Sequence, residues 1–238
     1  MNERQLNERL DAVAAAEERL LRRVDSLGDD DLRRPSLCEG WTRGHVLAHV
    51  ALNARSLVNL FDWARTGVEM PQYPSWEERD ADIERRAGRT VSEHRDALTD
   101  AAAAFAAAAR AVPSDRWPFP VRGIGGDPQP AETFLFGRLR EVEIHHVDLD
   151  AGYGPEDWPA GFVRAVLEQV PARLGPRVER PFAAVATDLG TRVLVGDGSS
   201  EVEVAGAAGA LLAWLLGRSG GSDLAVTGGD LPPVPPWG

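Results

Sequence analysis

The sequence predicts an α+β protein, an up-and-down four-helix bundle followed by a smaller α+β domain. Two observations carry this. Up to about residue 152, apolar residues recur at helical spacing and capping signals open successive segments. Beyond it, short β-rich runs alternate with Gly and with Asp197-Gly198. The expected domains are 1–152, a metal-binding helical bundle, and 153–238, an α+β domain.

Residues 4–27 place Leu6, Leu10, Val13, Leu20, Val24 and Leu27 on one helical face, with Gly28 as the stop. Thr42 is a plausible N-cap for a second helix to Arg65, closed by Gly67 and Pro71. Ser75-Trp76-Glu77-Glu78 and Thr90-Val91-Ser92-Glu93 both fit the capping box, so two further helices begin there. The second runs alanine-rich to Ala109 and ends at Pro113. Residues 113–130, rich in Pro and Gly, read as an irregular connection. Gly123-Ile124-Gly125-Gly126 lacks the strand-then-helix context of a phosphate loop, so that reading is weak. Pro130 fits the start of the next helix, which runs to about Asp150. In the second domain, residues 162–174 read as an amphipathic helix with Pro171 near its end. Residues 183–186, 192–195 and 201–204 read as strands, with Asp197-Gly198 turning a hairpin between the last two. An apolar helix at 206–216 and a short strand at 224–227 complete the chain.

The formal charge of −11 argues against non-specific binding to nucleic acid or to anionic membranes. All 26 basic residues are arginine, which excludes lysine Schiff-base chemistry. Cys38 is the only cysteine, so no intrachain disulfide exists. The N-terminus lacks the apolar core of a signal peptide, and no apolar run reaches bilayer length. A cytoplasmic, monomeric protein is expected.

The chemistry concentrates in residues 138–150, Arg-Leu-Arg-Glu-Val-Glu-Ile-His-His-Val-Asp-Leu-Asp. Glu141 and His145, four apart on a helix, stack on one face. His49 on the second helix could supply a third ligand. Two histidines and one glutamate leave an open position, as a catalytic zinc site requires. Against this, a histidine on an apolar helix face is ordinarily a hydrogen-bonded core residue. His45, one turn before His49, is the rival ligand. His146 falls off the Glu141–His145 face and is expected to support a ligand from behind or to pack, and Glu143 to point into solvent. Asp148, three residues past His145, could orient it. Cys38 reads as a small buried hydrophobe, and Arg218 alone reads as a cation at a helix C-terminus.

These residues closely resemble the mycothiol-dependent maleylpyruvate isomerase family. The resemblance lies in residues 36–50 (Ser-Leu-Cys-Glu-Gly-Trp-Thr-Arg-Gly-His-Val-Leu-Ala-His-Val), in 59–74 with Trp63, Thr66-Gly67 and Pro71, and in 140–149. Gly217-Arg218-Ser219 and Pro235-Pro236-Trp237 extend it through the second domain. It implies a DinB-like bundle, with zinc held by His49, Glu141 and His145, and a functional Arg218. It implies mycothiol as the thiol cofactor and a small dicarboxylate as substrate. The reaction implied is cis–trans isomerisation of maleylpyruvate to fumarylpyruvate in gentisate degradation, by thiolate addition, bond rotation and elimination. A mycothiol S-transferase acting on electrophiles is the nearest alternative, and a non-catalytic metal-binding regulatory module one of another class.

Overall fold

The computed structural model describes residues 1–237 and divides into two compact units, Met1–Ala151 and Gly152–Gly238. The first unit is built on four long helices: α1 (Glu3–Val24), α3 (Arg43–Thr66), α5 (Val91–Ala111) and α6 (Thr133–Asp148). Both α1 and α3 pack against both α5 and α6, which closes the bundle. A short α2 (Asp29–Leu32) and α4 (Trp76–Ala87) lie against α3.

The helix starts follow the sequence chemistry. Asn2 caps α1 reciprocally with Gln5, Ser75 Oγ accepts from the Glu78 N–H, and Thr90 and Glu93 close a full capping box on α5. At the start of α3 the Thr42 hydroxyl contacts His45 Nδ1 at 2.8 Å and makes no backbone cap. Gly67, at φ 78°, ends α3 in the left-handed region that glycine adopts without strain. The first helix is shorter than its apolar pattern. It stops at Val24, Leu27 packs beyond it, and Gly28 becomes the N-cap of α2.

The bundle core is apolar and contiguous, with Phe61 tilted against Phe105 and edge-on to Trp117, both at 5.5 Å between centroids. Trp117 belongs to the connection expected to be irregular. That connection instead folds as a two-stranded antiparallel hairpin, β1 (Pro120–Arg122) with β2 (Pro128–Pro130), because Trp117 and Val121 anchor it in the core. Pro130 is therefore a strand residue, and α6 begins three residues later. The glycine run 123–126 is the hairpin loop, which removes its phosphate-loop reading.

The second unit has a four-stranded sheet in the order β4-β3-β5-β6, from β3 (Phe182–Ala186), β4 (Thr191–Val195), β5 (Glu203–Gly206) and β6 (Ala225–Thr227). The hairpin pairs β3 with β4, whereas β5 lies parallel to β3 on its other side. Asp197-Gly198 therefore makes no hairpin. Gly196 and Gly198, at φ 97° and 86°, carry the chain across β3. The single helix expected over 162–174 is two, α7 (Ala160–Leu167) and α8 (Val170–Leu174), and Pro171 starts the second. Helix α9 (Ala208–Leu215) packs on the sheet, Trp214 against Phe182 at 5.4 Å. Among the described residues, no helix is long and apolar enough to cross a membrane.

Candidate metal centre

Helices α3 and α6 present His49, Glu141 and His145 to one point. One ligand atom from each lies within 4.8 Å of the other two. His49 Nε2 is 2.9 Å and His145 Nε2 3.6 Å from Glu141 Oε2, and the two rings meet edge-on at 4.6 Å. His49 is 5% exposed, so an ion here would sit on the wall of the bundle and not on its surface.

Two of the three groups are already in the protonation state a cation needs. Burial, then the charge of His145, lowers His49 to about 4, so its imidazole is neutral at pH 7. Burial pushes Glu141 upward, but hydrogen bonds from His145 and His49 outweigh it and hold its carboxylate well below the usual range. For His145, burial opposes the charge, yet Asp148, Cys38 and Glu141 raise it well above an ordinary histidine. A metal ion would have to displace that proton. Two imidazoles and one carboxylate are a donor set that zinc accepts with one position left open.

Around the three lies a tight outer layer. Asp148 Oδ2 stands 2.9 Å from His145 Nδ1, and the Cys38 thiol donates to the same carboxylate at 3.4 Å. Cys38 is thus part of this layer and more than a packing residue, and with His145 and Asp148 it makes a second group close enough to hold an ion. Its loop is fixed in place, since the Leu37 N–H donates to the Asp148 carbonyl and Arg43 Nε to the Leu149 carbonyl. Trp41 tilts over His49 at 5.6 Å and stacks near His45 at 6.2 Å.

The structure separates the rival ligand from the centre. His45 Nδ1 faces Thr42 and its Nε2 reaches Glu84 of α4 at 3.0 Å. His146 is buried, 3% exposed. Glu143 contradicts the sequence expectation. It is 1% exposed and pairs with Arg19 of α1, because its face of α6 meets α1 and not solvent. Arg218 lies in the second unit, just after α9, where its Nη1 donates to the Leu216 carbonyl beside a cavity of about 760 Å³.

Two residues at the centre escaped the sequence reading. Arg79 of α4 reaches His49, Nη2 to Nδ1 at 3.2 Å, and the Tyr73 hydroxyl is buried among Ser56, Arg79 and Glu141. Helical periodicity gave no sign of either, because Tyr73 is in a loop and α4 is mostly solvated. Arg138 was likewise missed; it is fully buried and bonds Glu17, Asn53 and the Val50 carbonyl, tying α6 to α1 and α3.

Residues 13–150 match the family described as mycothiol maleylpyruvate isomerase N-terminal domain. Among solved structures, a mycothiol-dependent maleylpyruvate isomerase superposes with a TM-score of 0.88 at 31% identity, over 98% of this chain and 97% of that one. A histidine-to-alanine mutant of such an isomerase superposes equally, with 0.88 at 30% identity and the same coverage. No curated protein matches the chain by sequence.

Proposed function

The chain belongs to the mycothiol maleylpyruvate isomerase family, and from that membership we propose that it is a mycothiol-dependent cis–trans isomerase converting maleylpyruvate to fumarylpyruvate. The observation that carries the reading is that likeness to a solved isomerase spans both units, at 98% coverage, while His49, Glu141 and His145 converge in the first. A module used only to bind metal would have no need of the second unit's matching fold.

His49, Glu141 and His145 are the residues that would hold zinc, and none of the three is needed for covalent chemistry. When bound, the ion and the low-molecular-weight thiol would supply a thiolate able to add reversibly to the conjugated cis double bond, leaving a single bond free to rotate before elimination. The chain's own part is positional and electrostatic. Asp148 fixes the ring of His145 and keeps its Nδ1 side engaged, which leaves Nε2 for the ion. Trp41 lies against the His49 ring at 5.6 Å and makes an apolar wall on that side. Arg218 is assigned to neutralise a carboxylate or the developing enolate, a role that a planar guanidinium fills well.

The test is the absorbance of maleylpyruvate with zinc-loaded protein, with and without mycothiol. Conversion that needs the thiol, and that is lost in His49→Ala and strongly reduced in Arg218→Ala, is the expected outcome. Zinc binding with no isomerisation, while mycothiol is consumed by an electrophile, would replace the isomerase with an S-transferase. Zinc binding without any thiol-dependent turnover would leave a regulatory module.

A further inference from the structure

Two polar groups beside the candidate centre are not among its three proposed ligands. Arg79 lies along one side of His49, with its guanidinium 5.5 Å from the Trp76 ring centroid and only 16% of its side chain exposed. The Tyr73 hydroxyl is buried and makes no hydrogen bond among the described residues. Its surroundings are Ser56, Arg79 and Glu141, and burial keeps the phenol neutral. Ser56 Oγ donates to the Asn53 carbonyl at 2.8 Å and accepts from Gln72 at 3.0 Å; one lone pair remains on it, but the phenol is outside hydrogen-bond geometry with it. A buried hydroxyl without an acceptor is costly, and native structures rarely leave one without a reason.

We propose that the Arg79 guanidinium and the Tyr73 hydroxyl form a carboxylate-binding subsite on the wall of the His49–Glu141–His145 centre. The ligand class is a small dicarboxylate, one of whose carboxylates takes the fork of Arg79 while an oxygen accepts the Tyr73 proton. Arg79 is suited to the exchange. Its Nη1 is held at 2.6 Å by Asp80, whose side chain is 64% exposed, and such a solvated pair is weak and readily replaced. A ligand carboxylate in the same place would be less screened, because the guanidinium itself is mostly shielded. The centre otherwise presents Glu141 as an anion, so a dianionic ligand needs a cation on this side as well as any ion held by the three ligands. Arginine supplies two parallel donors in a plane, which lysine does not.

This subsite deepens the isomerase reading and rests on it for the identity of the substrate, but it can be tested apart from turnover. The first measurement is equilibrium binding of succinate, which has no double bond to react, and of butyrate, its monoanionic counterpart, to zinc-loaded protein without thiol. Wild type should prefer succinate, Arg79→Met should lose about tenfold or more of that preference, and Tyr73→Phe a smaller part. Zinc content and thermal midpoint, measured on the same samples, separate this from damage to the centre or the fold. In turnover, both variants should raise KM for maleylpyruvate more than they lower kcat, with Arg79→Lys recovering only part of the loss. Unchanged succinate preference in both variants would overturn the subsite, even with the isomerase active. So would Tyr73→Phe weakening zinc binding alone, which would make the hydroxyl a partner of the ion's own shell. If wild type fails to isomerise yet loses succinate preference on Arg79→Met, the subsite stands and the substrate assignment falls.

Discussion

Asp148 is the residue that converts a pair of side chains on α6 into a defined centre. It is 1% exposed, stands 2.9 Å from His145 Nδ1, and accepts from the Cys38 thiol, a placement that would leave Nε2 facing the proposed ligand set. Partners of this kind are worth about 10- to 100-fold in metal affinity. Asp148→Asn should therefore weaken zinc binding by roughly that factor, as read by competition with a coloured chelator. His49→Ala, which removes one of the three proposed ligands, should be worse. An Asp148→Asn protein that binds zinc like wild type would show that the ring is oriented by its helix alone. His49, Glu141 and His145 were legible because each lies in a helix with a clean period, and an i, i+4 pair declares its own face. Glu143 was not legible. Position on the helical wheel shows that it points away from the pair, but only the packing of α1 against α6 shows that away means inward.

Among the elements, α4 is the one whose importance the sequence concealed. Its solvated composition, Trp-Glu-Glu-Arg-Asp-Ala-Asp-Ile-Glu-Arg-Arg-Ala, has little to mark it as part of a site, and only Ile83 and Ala87 are buried. Yet it brings Arg79 to His49 and Glu84 to His45, so it determines which histidine is left for the centre. Its seat on α3 depends on Gly44, where a Cβ would stand 2.1 Å from the Ala87 carbonyl oxygen. Backbone cannot yield as a flexible side chain does, so Gly44→Ala should force α4 outward. Overpacking of this kind costs about 1–3 kcal/mol. Urea unfolding should show that loss, with zinc affinity reduced less than in Asp148→Asn, since the proposed ligands lie on α3 and α6. A Gly44→Ala protein of wild-type stability would mean that α3 and α4 do not approach this closely. The long helices, in contrast, were readable to within a few residues, because capping boxes and apolar stripes are local signals. Pairing order in the second unit is not local: Asp197-Gly198 carries a hairpin signal, and the sheet spends its glycines on a crossover.

At the scale of the whole molecule, the stability of the metal-free protein must depend on acid through buried histidines of opposite sign. His94 of α5 is 1% exposed, and burial lowers it to about 4 from an ordinary 6.5. Because the folded value is the lower one, the unfolded chain takes up the proton first. The contribution is whole above pH 6.5 and is lost as pH falls from 6.5 toward 4, for a total of about 3 kcal/mol. His49 behaves in the same sense when no ion holds it, since its folded value is also about 4. The carboxylate of Glu93, lowered by the Thr90 backbone N–H, acts only further down, below its usual 4.5. His145, whose folded value is raised, acts in the opposite sense, and its stabilisation is complete once pH has fallen below 6.5. Urea midpoints of zinc-free protein should therefore decline between pH 6.5 and 4, before most carboxylates titrate. His94→Leu should remove about one proton's share of that slope, although the lost contact with the Ala87 backbone lowers the plateau. The plateau and the slope report different things, so the two effects can be told apart on one set of curves. A slope unchanged by His94→Leu would mean that the folded protein lets His94 take up its proton as readily as the unfolded chain does.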